Sequence, residues 1–397
     1  MTGVDFPPVW AWVLTPLASF REPRDVAFQK IRLIAPGDAL RTASAGIREA
    51  GGWASDITPA SPPLEKRRQV VLAGTLAQFD RFVSRADSSV ARAIRETLDS
   101  AITPPPTITL GHHRFDFAGR VYVAGILNNT PDSFYDRGRH FGIDAALRRA
   151  EEIVREGADL IEVGGETAQE GDALRVRDEI DRVAPLVREL TRRFPLPVGV
   201  DTYKPVVARA AIEAGAVLVN DISGMADPAM AGIIAGSGAG VVLMHLHGRP
   251  KQHYVDVPVP SMMDWVAAFL KQRTDAAVAA GIPRERILVD PGLNFGKYPA
   301  RDLELMRRLP ELRSLGCPIF VATSRKDYIR DLLRLHPDEL LEGTAAAVAF
   351  AVAQGANMLR VHDVQAMVRV VRMMEYFTGH RTVNEAEEAV KRGQAGH

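Results

Sequence analysis

The stretch VYVAGILNNTPDSFYDRG, residues 121–138, begins mostly apolar and then breaks into a polar loop carrying two Asn and two Asp. A short apolar run bounded by turn-forming residues reads as a buried strand, here 121–127, which delivers Asn128 to its C-terminal end. The design recurs seven more times. Apolar runs end at Glu162, at Asp201, at Asn220 with Asp221, at Met244 with His245, at Asp290, at Ser324 to Lys326, and at Arg360 with His362. Segments of helical length and period separate these runs. Such alternation calls for a parallel sheet with helical crossovers, and eight units of it close into a (β/α)8 barrel of the α/β class.

Outward from the first strand, a helix is expected over 144–156, with Asp144 placed to cap it. Strand 160–163 precedes a Gly-rich loop and a helix over 175–194. Strands 198–201 and 217–221 flank a helix opening at Pro205, a residue favoured in a first helical turn. The remaining strands are read at 240–246, 287–290, 319–322 and 358–361. Gly-Ala pairs at 157, 215 and 355 suit helix stops before the next strand.

Upstream the rhythm is different. Trp and Pro open the chain, a Gly/Pro/Ser-rich stretch runs over 51–63, QVVLAG at 69–74 reads as a strand, and helical spacing covers 75–82 and 90–98 with an interruption at 87–89. Three prolines from Pro104 form a stiff linker. TITLGHHRFDF at 107–117 then alternates like a hairpin that could plug the bottom of a barrel. The expected division is a small N-terminal α/β extension (1–105) to which no motif assigns a role, a barrel (106–380) and a C-terminal tail (381–397).

Composition narrows the function. The 397 residues exceed the roughly 250 typical of an eightfold barrel, which leaves room for the extension. With 46% hydrophobic and 25% charged residues the chain is of ordinary globular type. Its 49 basic and 49 acidic residues cancel, so no electrostatic footprint points to nucleic acid or an anionic membrane. A single cysteine, Cys317, excludes an internal disulfide framework and fits a reducing compartment; its Gly-Cys-Pro setting before an apolar strand reads as a buried structural thiol. No apolar run approaches the roughly 18 residues of a membrane span, and the start lacks a basic signal-peptide region, so a cytoplasmic location is expected.

In such barrels active sites form at the C-terminal face of the strands. The residues there include acids (Glu162, Asp201, Asp221, Asp290), amides (Asn128, Asn220) and the basic groups Arg325, Lys326, Arg360 and His362. Acids and amides suit a heterocycle with several N–H donors. The cations Lys326, Arg360 and His362, with Asn128, suit phosphates, with Mg²⁺ as a bridge. Their joint placement indicates an enzyme acting on small molecules.

The stretches GILNNTPDSFYDRG from 125, ADLIEVGGET from 158, VDTYKPVVARAAIEAGAVLVNDISG from 200, VVLMHLHG from 241, ILVDPGLNFGK from 287, SRK from 324 and LRVHDV from 359 follow one another strand by strand. Together they resemble the dihydropteroate synthases, the pterin-binding TIM-barrel family of folate biosynthesis. The resemblance implies a transferase that condenses 6-hydroxymethyl-7,8-dihydropterin diphosphate with 4-aminobenzoate, giving 7,8-dihydropteroate and diphosphate. It implies pterin contacts from Glu162, Asp201, Asn220, Met244, Asp290 and Lys326. Diphosphate would meet Asn128, Arg360 and His362, with Asn128 also the Mg²⁺ ligand. Asp132 and Asp136 of the first loop would join Lys326, Arg360 and His362 in catalysis, and the family suggests a homodimer through barrel helices.

One loop departs from the family pattern. Where the family reads GGESTRPG, residues 164–171 read GGETAQEG, so that a hydroxyl, a cation and a rigid Pro give way to Ala168, Gln169 and Glu170. Thr167, Ala168 and Gln169 occupy the arylamine loop. Loss of a cation and gain of Glu170 predict a weaker contact with a carboxylated arylamine, or a different acceptor. Glu162 stands where Asp is usual, and Asn129 where an apolar residue is. Two alternatives follow: a paralogue using another arylamine, and a pterin-binding protein without turnover. The leaving-group cluster argues against the second. His245, His247 and His253 lack the spacing of a compact zinc set, and GLNFGK at 292–297 lacks the Walker spacing.

Overall fold

The structure, a computed structural model, describes residues 10–13, 28–56, 58–59, 68–85, 88–130, 142–168, 170–253 and 259–382. Eight parallel strands carry the fold: Tyr122–Asn128, Leu160–Gly164, Val198–Asp201, Leu218–Asp221, Gly240–Met244, Ile287–Asp290, Phe320–Val321 and Met358–Val361. The first six pair in sequence order, and the eighth lies between the seventh and the first, with Met358 opposite Tyr122. A parallel bridge between Val289 and Ile319, with Val289 N–H donating to the Pro318 carbonyl at 3.0 Å, joins the sixth strand to the seventh. Closure leaves the sheet without an open edge. The expected (β/α)8 barrel is what forms.

Differences of detail have local causes. The helix after the first strand is Ile143–Arg155, capped by Gly142 (φ 95°) and not by Asp144, which lies in the first turn where a carboxylate meets the positive end of the helix. Asn129 explains this start. Its Oδ1 accepts from Gly142 N at 2.9 Å, and its Nδ2 donates to the Arg182 carbonyl at 2.9 Å. The polar residue in an apolar position therefore ties the end of the first strand to two neighbouring helices. The fifth strand stops at Met244, although His245 N still reaches the Asp290 carbonyl at 3.1 Å.

Along a barrel strand alternate side chains point inward and outward, so two cores arise. The outer one lies between strands and helices. The inner one is completed by the hairpin Ile108–Leu110 and His113–Phe115, whose Ile108, Leu110 and Phe115, with Phe117, pack on Leu160, Leu218, Val242, Leu288, Phe320 and Met358. The hairpin is a plug. Gly240 makes room for it: a Cβ there would lie 2.5 Å from Leu110 Cδ2.

The N-terminal unit has its own core of Ile31, Leu33, Leu40, Ile47, Leu72, Phe79 and Ile94. Its antiparallel sheet centres on Phe28–Ala35 paired with Arg68–Thr75, flanked by Trp10–Val13, Trp53–Ala54 and Thr58–Pro59. Helices Gly37–Glu49, Leu76–Arg85 and Ser89–Ile102 cover it. Arg32 fastens this unit to the barrel by an ion pair with Asp264, which also holds Arg308 at 2.7 Å. Truncating the plug at Leu110→Ala should lower the unfolding free energy by about 2–5 kcal/mol, as expected for a fully buried leucine. A urea titration measures it; a drop below about 1 kcal/mol would mean the barrel bottom is not sealed by this residue.

Candidate active site

A cleft of about 490 Å³ opens at the C-terminal ends of the strands. Asn128, Asp201, Ser324, Lys326, Arg360 and His362 line it, together with Glu166, Thr167, Ala168 and Glu170 of the second loop, and Asn294 and Phe295 of the sixth. Beneath it lie Glu162, Asn220, Met244 and Asp290, all buried.

The floor is a paired charge cluster. Arg360 donates from Nε to Glu162 and from Nη2 to Asp201 at 2.6 Å. Burial works against its charge, but the facing carboxylates more than offset that, and its pKa is raised. Asn220 donates from Nδ2 to Glu162 at 3.2 Å, while its Oδ1 finds no partner among the described residues. That oxygen is an acceptor available to a ligand N–H. Asp290 accepts from Gly292 N at 2.7 Å and is pushed up to about 6 by burial. Lys326 sits 4.3 Å from the centre of the Phe295 ring; burial, then the charge of Arg360, lowers it to about 8. Met244 joins Ile222, Leu246 and Phe295 in a small apolar cluster at one side.

Some strand-end residues do other work. His362, grouped with the cations in the sequence, is neutral near pH 7: burial, followed by the nearby Arg360, lowers it to about 3. Its Nδ1 lies 3.1 Å from Ser324 Oγ, which also accepts from the His362 backbone N–H at 3.1 Å. Arg325 is tied to Asp363 by two bonds of 2.7 and 2.8 Å. Asp221 organises the turn after its strand, accepting from Ser223 N, Ser223 Oγ and Met225 N. Asp132, Asp136 and Gln169 lie outside the described residues. Among the described residues no three His, Cys, Asp or Glu side chains are grouped to hold a metal.

The loops around the cleft are held by lysines that the sequence reading did not single out. Lys204 donates to Glu166 at 3.0 Å, to Glu179 at 2.6 Å and to the Leu174 carbonyl at 2.7 Å, and Thr202 completes Glu179 at 2.7 Å. Lys251, with φ 68°, donates to the Thr167 carbonyl at 3.0 Å. Lys297 is buried against three carbonyls, of His245 (3.1 Å), Gly292 (2.6 Å) and Phe295 (3.0 Å), and burial lowers it to about 7. Gly292 permits this: at φ 69° a Cβ would stand 1.9 Å from the His245 carbonyl oxygen. The signal available was a lysine just beyond a strand end, which a sequence cannot distinguish from a solvated one.

A family model described as pterin binding enzyme matches residues 124–362. The dihydropteroate synthase of Synechocystis sp. is 36% identical over 274 residues, which cover 68% of this chain and 95% of that one. An inactive dihydropteroate synthase 2 of Mycobacterium leprae is 41% identical over 270 residues, 66% of this chain and 93% of that one. Among solved structures, Yersinia pestis dihydropteroate synthase in a sulfonamide drug complex gives a TM-score of 0.66 at 37% identity, covering 69% of this chain and 100% of that one. With the barrel, the strand-end cluster and these matches in agreement, the chain belongs to the pterin-binding enzyme family, among the dihydropteroate synthases.

Proposed function

We propose that the cleft joins 6-hydroxymethyl-7,8-dihydropterin diphosphate to 4-aminobenzoate, releasing diphosphate, as a transferase of folate biosynthesis. The observation that carries this reading is the floor: Asn220 Oδ1 and the Asp290 carboxylate are buried acceptors beside the donor Lys326, a set matched to an aminopyrimidinone edge. The apolar Met244 and Phe295 flank the ring.

Asn128, Arg360 and neutral His362 line the cleft on the side that would receive the leaving group. The pterin methylene carbon–oxygen bond breaks with its electron pair passing to diphosphate. The resulting cation is stabilised by the carboxylates of the floor, the arylamine nitrogen then forms the new carbon–nitrogen bond, and that nitrogen loses one proton. The donor chemistry at the mouth fits Mg²⁺, because a magnesium ion keeps several waters and takes phosphate oxygens, so that the single amide oxygen of Asn128 suffices from the protein. When bound, Mg²⁺ offsets the negative charge gathering on the leaving oxygens.

A second reading, with another amine or no turnover, draws on the second loop, where Ala168 and Glu170 line the cleft beside Glu166. Similarity to the inactive M. leprae protein points the same way. The deciding experiment is diphosphate release by the purified protein from the dihydropterin diphosphate, with and without 4-aminobenzoate, in Mg²⁺ and again in EDTA. Release that requires both 4-aminobenzoate and Mg²⁺ and yields dihydropteroate is expected. Pterin binding without coupled release would overturn the first reading in favour of the second.

We further propose a cytoplasmic homodimer. Among the described residues no helix is long and apolar enough to cross a membrane, and Cys317 is a buried free thiol pushed up to about 11 by burial. Leu332, Leu333 and Phe350 stand 49%, 54% and 40% exposed around an apolar groove formed with Met306, Ile329 and Ala347. Exposed apolar side chains gathered in this way mark an association surface. Leu333→Asp should convert the particle to a monomer in light scattering; a monomeric wild type would end the idea.

A pH prediction follows from His362. Its folded pKa of about 3 lies below the ordinary 6.5, so its contribution to stability is complete above pH 6.5 and is lost as pH falls toward 3. His362→Gln should therefore flatten the acid limb of the stability curve between those values. An unchanged limb in thermal melts across that range would contradict a buried neutral imidazole.

A further inference from the structure

The pairing of Arg360 bears on the leaving group. Arg360 projects from the eighth strand opposite Ala124 of the first, and Glu162 projects from the second strand opposite Ile126 of the first. Their strands are separated by one intervening strand, so the two backbones lie about 10 Å apart and only long side chains can meet. They meet inside the barrel, where Ala124 offers little bulk and the position of a Cβ on Gly199 lies 3.6 Å from Glu162 Cγ. Glu162 has no exposed surface and takes a second bond from Asn220. Asp201 takes Nη2 of the same guanidinium.

We propose that Glu162 is a positioning residue that competes with the diphosphate group for Arg360. It holds the guanidinium down against the floor and thereby sets how much of that charge the leaving group receives. This rests on reading the cleft as the dihydropterin diphosphate site. A polyanion entering at Asn128 and His362 meets an arginine with two of its donor positions already taken by carboxylates, and their negative charge opposes it. The same pairing lets diphosphate depart readily once the carbon–oxygen bond has broken. Glu162 thus tilts recognition toward the pterin ring, read through Asn220 and Asp290, and away from the phosphates.

Calorimetry of the full chain with inorganic diphosphate and Mg²⁺ tests this, alongside titration of the dihydropterin diphosphate. Glu162→Gln should bind inorganic diphosphate roughly tenfold more tightly than wild type, the scale of one charge-assisted hydrogen bond regained. Glu162→Asp, which keeps the charge but draws it back by one methylene, should lie between the two and serves if the Gln variant fails to fold. In an Arg360→Met background the gain from Glu162→Gln should vanish, since the competition runs through Arg360. Unchanged or weaker diphosphate binding in the folded variants overturns the proposal, and so does an equal gain in the Arg360→Met background. A merely structural Glu162 gives loss, never gain. If wild type fails to bind the dihydropterin diphosphate, the reading of the cleft falls, while the inorganic diphosphate titrations still decide the Glu162–Arg360 competition.

Discussion

A guanidinium taken out of water must be paired, and that constraint on Arg360 organises the upper half of the barrel. Its carboxylate partners come from the second and third strands, so the pairing depends on closure bringing the eighth strand beside the first. Asn220 is oriented in turn: its Nδ2 is committed to Glu162, which leaves Oδ1 as a buried acceptor without a partner among the described residues. The charge of Arg360 also acts on Lys326 and His362, lowering both beyond what burial alone does. The orientation of Asn220 and the protonation of the cleft are therefore consequences of one buried cation.

Most of the barrel was legible because its signal is local. An apolar run of strand length that ends in a polar residue, repeated after helical spacers, needs no long-range information. The strands at 198–201, 287–290 and 358–361 appear with the expected bounds, whereas the seventh shrinks from four residues to Phe320–Val321 because only that much of it pairs with the eighth strand. In the N-terminal unit the strand Arg68–Thr75 and the helices after it were readable. Phe28–Ala35 was not: its FQKIRLIA mixes charge into the run, and its identity as a strand comes from pairing with Arg68–Thr75. Gly37–Glu49 opens at Pro36 without a side-chain cap, which removes the usual start signal.

The site was legible as a set of strand-end residues but not as a network. Sequence places Glu162 and Arg360 on separate strands and cannot say that they touch, since that depends on strand order and register. It assigns His362 a charge that burial removes. Nor can it separate Asp221, turned into its own Ser223 and Met225 turn, from Asp290, which stays in the floor. Two acids at equivalent strand ends differ because successive side chains alternate in direction and the chain leaves each strand along a different path.

The second loop follows a different logic, because it is altered in sequence and firmly held at several of its described residues. Lys204 fixes the loop through Glu166 and the Leu174 carbonyl, Lys251 fixes it through the Thr167 carbonyl, and Arg182 donates to the Gly165 carbonyl at 3.1 Å. A loop anchored at Gly165, Glu166, Thr167 and Leu174 has little freedom to swing in a distant cation as a substitute for the one the family pattern carries. Such anchoring lowers the ordering entropy needed to bind any ligand that fits the loop as it stands. It also raises the demand on such a ligand, since the anchored residues adapt little to a poor match. The floor of the cleft is thus fixed by buried ion pairs, and its second loop by lysine and arginine anchors. Between those anchors the loop carries Ala168 and Glu170 to the lining of the cleft.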